Sequence, residues 1–186
     1  MAKKHPGTKN LLERDDSILI VIDVQDRLMP VIADREKVIY NIVRLLKFSK
    51  IIGLPVILTE QEKLGSTVSE IKKEIPYLTP ITKSAFSCFL CNEFVEQIHQ
   101  HGKKRLILTG VETHVCIAQT ALLALPEFIV HVVNDAVSSR TLENFTVGIE
   151  RMRQSGAIIT STEMVIFELL KKAGTDEFRA ALQLVK

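Results

Sequence analysis

The chain alternates between short apolar runs and longer stretches in which apolar residues recur with a helical period. Ser17–Asp23 is almost continuously apolar and ends in an acid, which is typical of a strand buried on both faces of a parallel sheet. In Glu36–Ile52 the apolar residues return every three or four positions, as they do on one face of a helix. Gly53 ends that helix, and Val56–Thr59 is the next apolar run. This order of strand, helix and strand predicts a βαβ unit.

The same alternation continues to the end of the chain. Glu60–Thr82 interrupts the alternation, because it contains Gly65, Pro76 and Pro80 and only one short predicted helix, near Val68–Lys73. Loops this long in a compact domain are usually functional. Beyond it, strands are predicted at Arg105–Thr109, Phe128–Val133 and Ala157–Thr160, and helices at Cys91–His101, near Thr113, and at Thr141–Ser155, Thr162–Lys172 and Asp176–Val185. The pattern indicates a three-layer α/β/α domain with a mostly parallel, Rossmann-like sheet of five or six strands, and we expect six.

Two reactive side chains are predicted at one edge of this sheet. Asp23 ends the first strand, and Cys116 lies in the first turns of the helix that follows the strand Arg105–Thr109. Ligands of parallel α/β sheets bind in the crevice beyond the carboxyl ends of the strands. The free N–H groups at the start of a helix stabilise a thiolate and can hold an oxyanion. Cys116 is therefore a candidate nucleophile with Asp23 as its base, and the alternative is a small buried apolar side chain.

Three motifs, taken together, resemble the isochorismatase-like cysteine hydrolases. They are Val21–Gln25, where an Asp follows an apolar strand, Thr82–Ser87, where a lysine precedes a small–Phe–Ser pattern, and Gly110–Cys116, which carries the nucleophile. Their order on this strand–helix pattern makes the resemblance specific. Longer matches at Leu58–Gln61, Leu64–Val68, Asp135–Arg140 and Arg151–Ala157 are similar to the subgroup of isochorismatase-domain-containing proteins.

The resemblance implies a catalytic triad of Asp23, Lys83 and Cys116. In this triad Cys116 attacks a carbonyl or similar carbon as a thiolate, and Asp23 takes the thiol proton and returns it to the leaving group. Lys83 stabilises the thiolate and keeps Asp23 ionised. The resemblance also implies a cis peptide bond between Val111 and Glu112, which would aim the Glu112 N–H, with that of Cys116, into an oxyanion hole.

Five further residues are candidate substrate contacts. Glu60 and Gln61 end the second strand and so face the same crevice, and Gln25 either touches substrate or orients its loop. Phe86 and Phe89 are expected to line the pocket beside Lys83.

Several polar residues have competing interpretations. Cys88 and Cys91 form a CxxC pair, but no second pair completes a zinc site, so packing is favoured over a metal or redox role. His114 is interpreted as a pocket-rim or structural residue rather than a dyad partner of Cys116, because residues two apart on a helix point to different sides. Asp135 is either a second active-site acid or, as favoured here, a cap for the turn that follows it. His131 is expected to be a satisfied residue in mid-strand.

Composition narrows the function classes. The 186 residues carry a net charge of +2, 46% hydrophobic residues, three cysteines and no Trp, so we expect no nucleic-acid or membrane partner and a reducing, cytoplasmic location. Thr59–Ser69 lacks the histidine and aspartate that bind metal in related nicotinamidases, so no metal or other cofactor is expected. We expect one domain over residues 1–186, with residues 1–12 loosely ordered, and the resemblance implies a homo-oligomer.

The function predicted from the sequence is a metal-independent cysteine hydrolase. Its substrate would be a small amide, ester or vinyl-ether-like molecule, cleaved through Asp23, Lys83 and Cys116. The alternative is a binding or regulatory module on the same fold.

Overall fold

The computed structural model describes residues 10–185. Most of the segment expected to be loosely ordered therefore lies outside the described residues. Leu12, however, is buried, and its backbone N–H donates to a Glu168 carboxylate oxygen at 2.9 Å. The loosely ordered segment therefore does not extend to Leu12, because both its side chain and its backbone are held by the rest of the protein.

Six parallel strands form one central sheet, as predicted. They are β1 (Ser17–Ile22), β2 (Val56–Gln61), β3 (Ile81–Lys83), β4 (Arg105–Val111), β5 (Ile129–Ser138) and β6 (Ile158–Thr160), in the order β3-β2-β1-β4-β5-β6. The helices of the described residues are α1 (Arg35–Ile52), α2 (Ser69–Glu74), α3 (Asn92–His101), α4 (Ala118–Ala124), α5 (Leu142–Gln154), α6 (Thr162–Leu170) and α7 (Asp176–Ala181). No helix within residues 10–185 is long and apolar enough to cross a membrane.

The sheet is buried on both faces because its strands have apolar side chains on both sides. In β1, Leu19 and Val21 pack into a cluster with α1 and α6, whereas Ile18, Ile20 and Ile22 pack into a second cluster with α3, α4 and α5. This arrangement confirms the predicted three layers.

The strand order places a topological switch point between β1 and β4. From β1 the chain builds the sheet outward through β2 and β3, and then returns to build the other half from β4. The connections on the two sides of this point leave in opposite directions, which opens a crevice at the carboxyl ends of the strands.

Gly110 lets the two central strands approach each other at that crevice. It lies opposite Ile22 in the β1–β4 register and has a φ of +111°. A Cβ atom at this position would lie 2.0 Å from the carbonyl oxygen of Ile22. The position therefore requires glycine on both steric and conformational grounds.

Two expectations about β5 are wrong. Asp135 does not end the strand, which continues to Ser138, and its Oδ1 accepts hydrogen bonds from the N–H and hydroxyl of Thr162 at 2.8 and 3.0 Å. Asp135 therefore binds the first residue of α6, whose N-cap is Ser161, and its carboxylate does not cap the turn that follows it. His131 is fully buried, but neither of its ring nitrogens has a hydrogen-bond partner among the described residues, so it is not satisfied.

Candidate active site

Asp23 is held in a rare backbone conformation at the end of β1. Its φ is +56°, in the left-handed region that few non-glycine residues adopt, and its side chain is fully buried. Its N–H donates to the carbonyl oxygen of Thr59 at 3.2 Å, next to the strand end of β2. Such conformations concentrate at functional sites, where the surrounding structure fixes them.

Lys83, the last residue of β3, places its ammonium against the Asp23 carboxylate. Nζ lies 2.6 Å from Asp23 Oδ2 and 2.8 Å from Gln61 Oε1, and the carbonyl oxygens of Ala85 and Phe86 are each at 3.2 Å. The three N–H bonds of an ammonium group thus face four acceptors. Lys83 is therefore fully engaged and acts as a fixed positive charge that holds Asp23.

Cys116 lies in a π-helical turn, Thr113–Ile117, that leads directly into α4. The predicted helix start is correct, but its first turn is wider than an α-helical one. Single π-helical turns occur frequently at functional sites. Cys116 is 6% exposed, so it is almost completely buried.

The surroundings of Cys116 disfavour a thiolate in the resting protein. Burial, as the largest cause, raises the pKa of the Cys116 thiol to about 12, and the negative charge of Asp23 raises it further. The ammonium of Lys83 acts in the opposite direction but does not prevail, since Asp23 already pairs with it. Cys116 is therefore a neutral thiol in the resting protein, and it needs a base to become a nucleophile.

The segment before Cys116 contains the cis peptide bond that the resemblance implied. The Val111–Glu112 peptide bond is cis. The Glu112 side chain is buried, and its Oε1 accepts a hydrogen bond from Arg140 Nε at 2.7 Å. The Glu112 backbone N–H has no hydrogen-bond acceptor within residues 10–185.

The polar residues around β2 hold the site together. Gln25 is fully buried, and its side chain bonds to the backbone N–H and C=O of Gln61 and to the carbonyl of Gly65. It therefore orients the loop, which is the alternative to a substrate contact. Glu60 Oε1 accepts from the N–H and the hydroxyl of Thr67, both at 2.6 Å.

Both polar atoms of the Gln61 side-chain amide also have hydrogen-bond partners. Its Oε1 accepts from Lys83, and its Nε2 donates to the Ser84 carbonyl at 2.7 Å. Gln61 thus braces Lys83, and direct substrate contacts of Gln61, Glu60 and Gln25 stay a prediction.

The two candidate aromatic residues are in different places. The carbonyl of Phe86 bonds to Lys83, and its ring is 53% exposed beside the site. The ring of Phe89 packs at 5.3 Å from Phe94 and 5.4 Å from Phe128, which precedes β5 at the opposite edge of the sheet. The expectation that Phe89 lines the pocket is therefore wrong, because its ring is part of the packing around α3.

The CxxC cysteines do not form a metal or disulfide site in the described structure. All three cysteines are free, and no group of three or more potential metal ligands occurs within residues 10–185. Cys88 is fully buried, and its N–H donates to Thr120 Oγ1 at 3.0 Å. His114 Nδ1 lies 3.0 Å from Ser139 Oγ, which supports the structural interpretation of this residue.

Sequence reasoning missed Thr59, whose Oγ1 donates to Asp23 Oδ1 at 2.8 Å, and Arg140, the partner of Glu112. Thr59 lies in the matched stretch Leu58–Gln61, but the resemblance implies no role for it, and only the register between β1 and β2 reveals its contact with Asp23. Arg140 belongs to a stretch that the resemblance covered, but its ion partner lies 28 positions earlier in the chain.

Comparison with known proteins identifies the family. The isochorismatase domain model matches residues 17–164, so the chain belongs to the isochorismatase family. A secreted isochorismatase effector of Phytophthora sojae is 38% identical over 100% of this chain and 93% of its own length. Isochorismatase domain-containing protein 2A of mouse is 35% identical over 92% of this chain and 84% of its own length, which confirms the resemblance to that subgroup.

Two solved structures share the fold closely. The MAR1 ribonuclease of Caenorhabditis elegans has a TM-score of 0.87 and 33% identity, covering 94% of this chain and 92% of that chain. The YcaC protein of Escherichia coli is described as an octameric hydrolase of unknown specificity. It has a TM-score of 0.88 and 28% identity, covering 98% of this chain and 91% of that chain. Family membership supports a hydrolase function for this chain.

Proposed function

We propose that this protein hydrolyses a small amide, ester or vinyl-ether-like substrate through a covalent intermediate on Cys116. The observation that carries the proposal is the buried Asp23–Lys83 pair, which adjoins the thiol at the switch point of the sheet. Two opposite charges, both almost completely buried, are costly to maintain and are expected where they serve chemistry.

With an amide or ester as substrate, the reaction has two halves. In the first half, Asp23 removes the thiol proton as Cys116 Sγ forms a bond to the substrate carbonyl carbon. The carbonyl electron pair moves to oxygen, where the N–H groups of Glu112 and Cys116 would stabilise the oxyanion. When this intermediate collapses, the bond to the leaving group breaks and Asp23 returns the proton to it. The product of this half is an amine or alcohol and a thioester on Cys116.

In the second half, Asp23 acts as a base again. It takes a proton from a water molecule whose oxygen attacks the thioester carbon, and the carbon–sulfur bond breaks. The thiol sulfur recovers the proton, and a carboxylic acid leaves. Throughout both halves Lys83 holds the Asp23 carboxylate in place, since its donors are occupied by Asp23, Gln61 and two carbonyls.

Charge balance supports an uncharged acyl group as the reacting part. Asp23 pairs with Lys83, and Glu112 pairs with Arg140, so the charges nearest Cys116 neutralise one another. A neutral carbonyl can enter such a site without a counter-ion. No cofactor takes part in the proposed steps.

The worm relative's description as a ribonuclease makes RNA cleavage a second activity to test. A small substrate is favoured because Cys116 is only 6% exposed, which does not suit attack on a polymer backbone. By analogy with the octameric relative, we also propose that the protein is a homo-oligomer. The cytoplasmic location stays a prediction, and one relative is described as secreted.

The test is a hydrolysis panel with p-nitrophenyl acetate, acetamide, benzamide and a single-stranded RNA oligonucleotide. Wild type should release nitrophenolate or ammonia, Cys116→Ala should lose that activity, and Cys91→Ala should retain it. Equal rates for wild type and Cys116→Ala on every small molecule would contradict the hydrolase and favour the binding module. RNA cleavage that persists in Cys116→Ala would point to a different chemistry.

A further inference from the structure

We propose that Thr59 is a positioning residue whose hydroxyl fixes the Asp23 carboxylate in the orientation that a base requires. This inference rests on the proposed function. Thr59 is fully buried at the carboxyl end of β2, level with Ile22 in the register with β1. Its Oγ1 donates to Asp23 Oδ1 at 2.8 Å, and its carbonyl accepts the Asp23 N–H at 3.2 Å.

Asp23 needs such a donor because its own torsion does not fix the carboxylate plane. The terminal torsion of an Asp side chain joins an sp³ carbon to an sp² carbon and has only broad preferences. Lys83 holds one carboxylate oxygen, Oδ2, and rotation about that contact would leave the other oxygen free to turn. The Thr59 hydroxyl holds Oδ1, so the two donors together define the plane.

The surroundings of Thr59 keep its hydroxyl directed at Asp23. The Cys88 thiol lies beside Thr59, and burial raises the pKa of this thiol to about 12. Cys88 is therefore uncharged near neutral pH and does not compete with the carboxylate as a strong acceptor. The ionised carboxylate is the acceptor that a buried hydroxyl prefers, because hydrogen bonds to charged groups are the stronger ones.

The step that reports on carboxylate orientation most directly is hydrolysis of the thioester on Cys116. In that step the sulfur is already acylated, so the protonation state of the thiol does not affect the rate. The base must face the attacking water, and small misplacements of a reacting group cost up to about 100-fold in rate. Loss of the Thr59 hydroxyl should therefore slow this step without unfolding the protein.

The experiment follows loss of the acetyl group from Cys116 after a pulse of p-nitrophenyl acetate and rapid desalting, by intact mass spectrometry of the full chain. Thr59→Val should slow deacetylation by roughly tenfold or more, whereas Thr59→Ser should restore a rate near wild type. Thr109→Val is the matched control, because Thr109 is equally buried in β4 but its hydroxyl donates to the Ile20 carbonyl. Its deacetylation rate should equal that of wild type.

The outcomes separate the two proposals. If Asp23→Asn slows deacetylation but Thr59→Val does not, the positioning role is overturned while the proposed function stands. If wild type forms no acetyl-Cys116, the proposed function is overturned, and this inference with it. Should Thr59→Val fail to fold, Thr59→Ala provides the same test, and slow deacetylation in it supports the proposal while a wild-type rate overturns it.

Discussion

Lys83 Nζ lies 2.6 Å from Asp23 Oδ2, and the two side chains are 1% and 0% exposed. The ion pair joins the end of β3 to the end of β1 across the intervening strand β2. Neither charge is stable in this buried position without the other. Removal of either one should therefore affect both the stability of the fold and the chemistry of the site.

Lys83→Met should destabilise the protein by about 3–5 kcal/mol, since it leaves a carboxylate buried without its partner. Urea unfolding followed by circular dichroism gives this value. Lys50→Met is the control, because Lys50 forms a partly exposed pair with Glu74 at 2.7 Å, and its loss should cost about 1 kcal/mol or less. If the two variants lose equal stability, the Lys83–Asp23 pair does not stabilise the fold as a buried ion pair.

Asp23→Asn should abolish hydrolysis and, at the same time, lower the pKa of the Cys116 thiol. The charge of Asp23 raises that pKa, and its removal also frees Lys83 to stabilise the thiolate. The rate of Cys116 alkylation by iodoacetamide can be measured against pH by peptide mapping. The midpoint of this pH dependence should shift from about 12 in wild type to a lower pH in Asp23→Asn. Asp26→Asn, which changes an exposed acid nearby, should leave the midpoint in place.

His131 should make the protein less stable in mild acid. Burial lowers its pKa from 6.5 to about 4, and the charge of Arg105 adds to this effect. The unfolded chain binds a proton near pH 6.5 while the folded protein does not, so this contribution is complete above pH 6.5 and is lost as pH falls toward 4.

The loss of stability from His131 should reach the order of 3 kcal/mol. Urea unfolding at pH 7.5 and near pH 4.5 gives the free energy of unfolding at each pH. The decrease between pH 7.5 and pH 4.5 should be smaller in His131→Leu than in wild type. His101→Gln, which changes an exposed histidine, should behave like wild type. An equal acid loss in His131→Leu and wild type would contradict the assignment.

Gly110→Ala should be far more damaging than an ordinary glycine substitution. Its Cβ would lie 2.0 Å from the Ile22 carbonyl oxygen, so β1 and β4 would have to separate at the active site. We expect Gly110→Ala to lower the free energy of unfolding by more than about 3 kcal/mol, or to yield no soluble protein. Gly102→Ala is the control, because that residue has a φ of +62° but open space around it, and it should cost about 1 kcal/mol.

Much of the fold could be predicted because its main strands are continuous apolar runs. β1 and β4 were placed within one or two residues, whereas β3 was missed because it has only three residues and follows Pro80. The extension of β5 to Ser138 was missed as well, since Asn134 and Asp135 resemble the end of a strand.

The site was only partly predictable, for a different reason. Asp23, Lys83 and Cys116 could be named from motifs, but the pKa of the thiol depends on burial, which a motif does not reveal. The roles of Thr59 and Gln61 depend on strand register and side-chain direction. Phe89 was misassigned because its closeness to Lys83 in the chain did not indicate which way its ring turns.

Peptide mapping after a short reaction with p-nitrophenyl acetate shows whether Cys116 is the nucleophile of a hydrolase. We expect an acetyl group on Cys116, absent from Cys88 and Cys91, that disappears with time in wild type. In Asp23→Asn the acetyl group should form more slowly and, once formed, should persist. Acetylation spread equally over the three cysteines, or absent from Cys116 in wild type, would show that Cys116 is not the nucleophile.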